Sequence, residues 1–153
     1  MTVHLLSLEN IDMLVKFEQN ARTSEPDIFL EDFDADKFKT GVENALKNPM
    51  FASARCVMCI INEQIVGRID FSIAPSFSFG GNLQVYVDWI YVLKEFRHQG
   101  IAQFLFSQME SYINAMGINE YFLLLAENNE AQSFYRSITG AEISKYDVLR
   151  KHL

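Results

Sequence analysis

Apolar and polar positions change period several times along the chain, and each change marks an element. Thr2 to Leu8 alternates loosely and reads as a first strand. From Glu9-Asn10, the residues Ile11, Leu14, Val15 and Glu18 fall at helical spacing, which predicts a helix through about Asn20. Glu25 to Asp36 is acidic and irregular. Phe38, Val42, Ala45 and Leu46 then form the apolar face of a second helix, starting at Asp34 and stopping before Pro49. Phe51 to Ile61 and Ile65 to Ile73 read as strands joined by a hairpin at Asn62-Glu63-Gln64. Pro75 to Asn82 reads as a loop whose Phe77 and Phe79 either meet a substrate or pack on the domain, and Leu83 to Val92 reads as a long strand.

Ile101, Leu105, Met109, Tyr112 and Ile113 form one stripe of a helix from about Gln99 to Met116, ended by Gly117. Tyr121 to Ala126 is nearly continuous in apolar residues, the pattern of a strand buried on both faces. A short helix over Asn129 to Ile138 and one or two strands within Glu142 to His152 complete the chain. The order β-α-α-β-β-β-α-β-α-β predicts a mixed α+β sheet with a parallel crossover near its middle.

Composition narrows the functional classes. A chain of 153 residues, 49% hydrophobic and 22% charged, suits one globular domain, taken as 1–153 with no internal boundary. No apolar run reaches the roughly 20 residues of a membrane span, and no secretory leader is evident, so a soluble, cytoplasmic protein is expected. Thirteen Lys+Arg against 20 Asp+Glu leave a net charge of −7, which argues against sequence-independent nucleic-acid binding and suits attraction of a small cation. Cys56 and Cys59 lie three apart in an apolar strand and so face opposite sides of the sheet, as structural cysteines. The scattered His4, His98 and His152 supply no partner motif, and no metal is expected.

The most informative segment is Arg97-His98-Gln99-Gly100-Ile101-Ala102, which follows a strand and opens an amphipathic helix. The first amides of a helix have no intrahelical partner and carry the positive end of its dipole. A glycine there lets a phosphate approach the backbone, and Lys94 and Arg97 add positive charge. The segment is neither a P-loop nor a dinucleotide fingerprint. It resembles the Arg/Gln-x-x-Gly-x-Gly/Ala hallmark of the GNAT N-acetyltransferases, and Asn128-x-x-Ala131-x-x-Phe134-Tyr135 is similar to that family's second signature, in the right order and on the right elements.

The resemblance is specific from about Asp88 to Gly140, where the Tyr135–Gly140 segment is one residue longer than usual. It implies a mixed, mostly antiparallel sheet flanked by helices, with parallel, splayed central strands that bind acetyl-CoA as cosubstrate. Arg97, His98, Gln99, Gly100, Ile101 and Ala102 would cradle its pyrophosphate. Main-chain groups of Ile90, Tyr91 and Val92 would meet the pantetheine arm and supply the oxyanion donor, and Asn128 would lie on the cofactor side. The implied reaction is direct acetyl transfer to a primary amine in a ternary complex, with no protein nucleophile.

Such transfer needs a base path and an acid. The family tyrosine matches Tyr135, the candidate acid. Asp88, a lone carboxylate on an apolar strand, is the candidate base or ammonium-binding group; it is expected on one face with Ile90 and Val92, and its structural alternative is a partner such as Arg68. The run Glu25, Asp27, Glu31, Asp32, Asp34 and Asp36 has no Lys or Arg. It reads either as a wall for a cationic acceptor (polyamine, aminoglycoside or peptide amine) or as a solvated loop in which Asp34 caps a helix. The competing classes are a non-catalytic acyl-CoA-sensing module of the same fold and an unrelated nucleotide-binding protein. The family admits homodimers, on which no residue of the sequence bears.

Overall fold

The computed structural model describes residues 1–77, 80–125, 129–145 and 151. The chain divides into two compact units, Met1–Leu123 and Leu124–Leu153. The first unit holds β1 (Thr2–Leu5), α1 (Ile11–Ser24), α2 (Ala35–Lys47), β2 (Ala54–Ile61), β3 (Gln64–Ser76), β4 (Asn82–Val92), α3 (Ile101–Asn114) and β5 (Phe122–Leu123). These strands form one sheet in the order β1-β2-β3-β4-β5, antiparallel except for the parallel pair β4 and β5. The expected mixed α+β class is therefore observed. Among the described residues no helix is long and apolar enough to cross a membrane.

Local chemistry explains the boundaries. The Asp34 carboxylate accepts from the Lys37 amide at 2.9 Å and starts α2. The β2–β3 turn is shorter than expected, because Ile61 pairs with Gln64 and leaves a two-residue turn. Asn62 and Glu63 both have positive φ, 49° and 61°, which matches the right-handed twist of the hairpin. The expected loop at Pro75 also shortens. Pro75 and Ser76 belong to β3, paired with Leu83 and Asn82. Proline is tolerated because β2 pairing ends at Ser72, so no neighbour needs its missing N–H.

Each face of the sheet buries one helical layer. On one side Leu14, Phe17 and Ala21 of α1 pack with Met58, Ile65, Tyr91 and Leu93, joined at the edge by Phe38 and Val42 of α2. On the other, Ile101 and Leu105 of α3 close on Gly67 of β3. A Cβ at Gly67 would stand 3.1 Å from Ile101 Cγ2, 3.2 Å from Val92 Cγ2 and 3.3 Å from Leu105 Cδ1. Gly67→Ala is thus expected to destabilise by about 1–3 kcal/mol through overpacking, read as a lower urea midpoint; an unchanged midpoint would mean that α3 yields without cost. Cys56 and Cys59 occupy opposite faces, as the strand period requires, and both are free.

Three further expectations change. The strand expected over Tyr121 to Ala126 is observed only at Phe122–Leu123, and it is not buried on both faces: Phe122 is 54% exposed. Among the described residues it pairs on one edge only, with Tyr86 and Val87, and the Phe122 ring leans on Tyr86 at 5.2 Å. Ala126 lies outside the described residues. The strands expected within Glu142 to His152 are absent from the described part, 141–145 and 151; residues 146–150 and 152 lie outside it. The third change concerns Asp88 and follows below. The second unit contains α4 (Asn129–Arg136), and Gly140, at φ 81°, turns the chain after it.

Candidate active site

The strand β4 carries a bulge at the position of most chemical interest. Phe71 pairs with Val87 and Asp70 with Trp89, so Asp88 is the extra residue. One extra residue reverses the alternation beyond it. Val87, Ile90 and Val92 consequently face α3, whereas Trp89 and Tyr91 face α1. Asp88 therefore does not share a face with Ile90 and Val92 as the plain period predicts. Its exposed carboxylate accepts a hydrogen bond at 2.7 Å from the hydroxyl of Ser72, a residue on the α1 side. The expected partner Arg68 is engaged elsewhere. Its guanidinium lies 3.1 Å from Glu18 Oε1 and 3.2 Å from Asp70 Oδ2, over the Trp89 ring at 4.7 Å.

Pairing of β4 with β5 stops at Val87–Leu123. From Asp88 to Val92 the outer edge of β4 has no strand partner among the described residues, and the Val92 carbonyl is taken by Arg97 Nε at 3.1 Å. The chain then makes a short turn at Lys94–Phe96 and runs through Arg97 in extended form. His98 and Gly100 both take positive φ, 58° and 79°. Gly100 is the N-cap of α3, and no side chain caps that helix. The first turn of α3 has no acidic residue to compete for its amides.

These features suit a phosphate. A Cβ at Gly100 would meet nothing within 4 Å, and a glycine at a helix start lets an anion come close to the backbone. Ile101 and Ala102 contribute backbone; the Ile101 side chain is buried against the sheet. Gln99 donates its side-chain amide to the Glu95 carbonyl at 3.2 Å, which closes the turn.

Arg97 takes a different course from a side chain reaching outward. Its Nε donates to the Val92 carbonyl at 3.1 Å, and its Nη1 and Nη2 both donate to the carboxylate of Glu25, just beyond α1. The Tyr91 hydroxyl donates to the same carboxylate. Burial alone would raise the Glu25 pKa, but the Tyr91 and Arg97 bonds outweigh it and hold the carboxyl below its ordinary value. Glu25 is thereby removed from the expected acidic wall and Asp34 caps α2, leaving Asp27, Glu31, Asp32 and Asp36 exposed.

In the second unit Tyr135 lies near the end of α4, its ring edge-on to Phe134 at 5.5 Å. Burial raises its phenol pKa, keeping the proton on oxygen. Asn128 lies outside the described residues. Burial, with the nearby Asp70 carboxylate, pushes the Cys56 thiol well above its usual range, and burial raises that of Cys59. Neither is a ready thiolate.

Sequence reasoning placed Glu25 in the acidic run and Arg68 beside Asp88, and missed Ser72, the Glu25–Arg97 pairing and the Glu18–Arg68–Asp70 cluster. Glu18 had left a signal, a carboxylate within the apolar stripe of α1. The pairing of Glu25 with Arg97, 72 positions later, had none.

Comparison with known proteins bears on this arrangement. A family model described as the Acetyltransferase (GNAT) family matches residues 15–141. No curated protein sequence matches the chain. Among solved structures, the aminoglycoside 6'-N-acetyltransferase AAC(6')-IG of Acinetobacter haemolyticus superimposes with a TM-score of 0.72 at 17% identity, covering 100% of this chain and 99% of that one. A ribosomal-protein-alanine N-acetyltransferase of Brucella melitensis biovar Abortus 2308 gives 0.73 at 18%, covering 99% and 100%. The aminoglycoside N-acetyltransferase AAC(6')-Iy, in complex with CoA, gives 0.69 at 17%, covering 99% and 100%.

Proposed function

The chain belongs to the GNAT acetyltransferase family, and from that membership we propose that it moves an acetyl group from acetyl-CoA to a primary amine by direct transfer in a ternary complex. The observation that carries the reading is the path from the end of β4, whose outer edge has no strand partner among the described residues, through the left-handed turn at Gly100, to the α3 amides that no side chain caps. Those amides, with the backbone of Arg97 to Ala102, would hold the pyrophosphate. Ile90 to Val92 would meet the pantetheine arm through main-chain groups and supply the oxyanion donor; Asn128 is a cofactor-binding residue in this reading by the family signature alone. The whole chain, 1–153, acts as one domain in this reading.

Bound acetyl-CoA supplies a thioester whose carbonyl the amine attacks. Asp88, exposed and oriented by Ser72, takes the ammonium proton or holds the ammonium in place. Tyr135, its phenol kept protonated, returns a proton to the departing sulfur. The neutral thiols of Cys56 and Cys59 support transfer without an acyl-cysteine. The exposed Asp27, Glu31, Asp32 and Asp36 favour a cationic acceptor (a polyamine, aminoglycoside or peptide amine), with the small-molecule amines supported by the aminoglycoside enzymes among the structural neighbours.

Release of free CoA thiol, followed across a panel of amines, tests the assignment. Tyr135→Phe is expected to lower kcat by about a hundredfold with little change in the KM for acetyl-CoA. Asp88→Asn is expected to lower kcat by a similar factor of about a hundred if Asp88 is the base, and to raise acceptor KM alone if it only binds the ammonium. Wild-type rates in both variants would remove these residues from the chemistry. Tight CoA binding with no acceptor-dependent release would favour the sensing module.

A further inference from the structure

We propose that Glu25 is a positioning residue for the pyrophosphate loop, fixing that loop and the acceptor-side segment after α1 with one carboxylate. The inference rests on the acetyl-CoA reading of the α3 N-terminus. Both Glu25 oxygens are used: Oε1 accepts from Arg97 Nη1 at 3.1 Å, and Oε2 accepts from Arg97 Nη2 and the Tyr91 hydroxyl. Arg97 is thereby held in a fork, with Nε on the Val92 carbonyl at 3.1 Å and its guanidinium 5.4 Å from the Tyr91 ring centre.

The backbone of the same residue builds the next turn. The Glu25 carbonyl accepts from the Ile28 amide at 3.1 Å and the Phe29 amide at 3.4 Å. Phe29 then packs edge-on against Tyr91 at 5.4 Å and Trp89 at 6.0 Å. Glu25 is therefore where the acidic segment and the loop meet the end of β4.

Arg97 immediately precedes two left-handed residues within three positions, His98 and Gly100. A non-glycine residue such as His98 is strained in that region, so the turn needs an external hold. A guanidinium fastened to Val92, Tyr91 and Glu25 provides it. Arg97 in this geometry contributes to phosphate binding by fixing the backbone, with its own charge balanced by Glu25.

The test compares wild type with Glu25→Gln, which keeps one accepting oxygen but no charge, and Glu25→Ala, which keeps neither. CoA affinity is measured by titration calorimetry, alongside thermal midpoints and backbone amide exchange. The expected result is a graded loss of CoA affinity, about tenfold in the glutamine variant and more in alanine, with faster exchange confined to Gln99 to Ala102 and to Ile28 and Phe29. Unchanged affinity in the alanine variant would overturn the proposal. So would a loss accompanied by exchange rising equally throughout the sheet, since that marks general destabilisation. If wild type itself fails to bind CoA, the cosubstrate reading falls. The exchange data would still report whether Glu25 holds the loop, so the two failures are distinguishable.

Discussion

Gly100→Val is expected to weaken CoA binding by about a hundredfold or more while leaving the protein folded. Two effects combine. Gly100 has φ 79°, a conformation that strains a β-branched residue by about 1–2 kcal/mol. The strain is local, so the melting midpoint should fall by only about 2–8 °C for a chain of this size. The second effect falls on the ligand. A Cβ at Gly100 meets nothing within 4 Å, so the folded chain does not exclude the valine side chain; in the acetyl-CoA reading a phosphate approaches the α3 amides at this residue. The methyls would block a phosphate without disturbing the packing. Gly100→Ala should give a smaller loss by the same route. Calorimetric titration with CoA reads both, and a valine variant that binds like wild type would move the pyrophosphate site elsewhere.

The largest loss of stability is expected at Arg68→Ala. Glu18 is 1% exposed and Arg68 7%, so both charges are out of water. Their separation of 3.1 Å is an ion pair, yet Glu18 Oε1, Arg68 Nε and Asp70 Oδ1 have no hydrogen-bond partner among the described residues. Arg22 also binds Glu18, from one turn along α1, but it is a quarter exposed and reaches only the other oxygen. Removing Arg68 leaves a buried carboxylate and strips Asp70 of its cation, a change of about 3–5 kcal/mol. Asp70 already titrates above its ordinary value, because burial outweighs the attraction of Arg68.

The apolar pair Glu18→Leu with Arg68→Met should recover much of the loss, since it removes both charges and refills the volume. Urea unfolding of the single and double variants decides this. A single variant as stable as wild type would mean that water reaches the cluster, and a double variant no better than the single would mean that the pair itself is irreplaceable.

The parts of the fold with a strong local period were legible in the sequence. The stripe Ile101, Leu105, Met109, Ile113 fixed the buried face of α3, and the charge pattern at Asp34 fixed the start of α2. The opposite orientation of Cys56 and Cys59 followed from the strand period alone. Where one residue shifts a register, the period misleads. The bulge at Asp88 turns the carboxylate to the α1 side, and nothing in Val87-Asp88-Trp89 announces it, because a bulge is fixed by the partner strand. The apolar run at Tyr121 failed for a related reason: composition records hydrophobicity but not whether a neighbouring layer arrives to cover it.

The turn at Gly100 and the start of α3 were visible because their pattern is local, a glycine, a small residue and a helix start within six positions. Its brace was not, because Glu25 and Arg97 meet only after the sheet has brought α1 and the end of β4 together.

The most direct measurement is mass spectrometry of candidate amines after incubation with the protein and acetyl-CoA, with free CoA quantified in the same samples. The expected result is an N-acetylated primary amine, formed only with protein present and in amounts equal to the CoA released. Failure of every primary amine to be acetylated, with acetyl-CoA recovered intact, would contradict it.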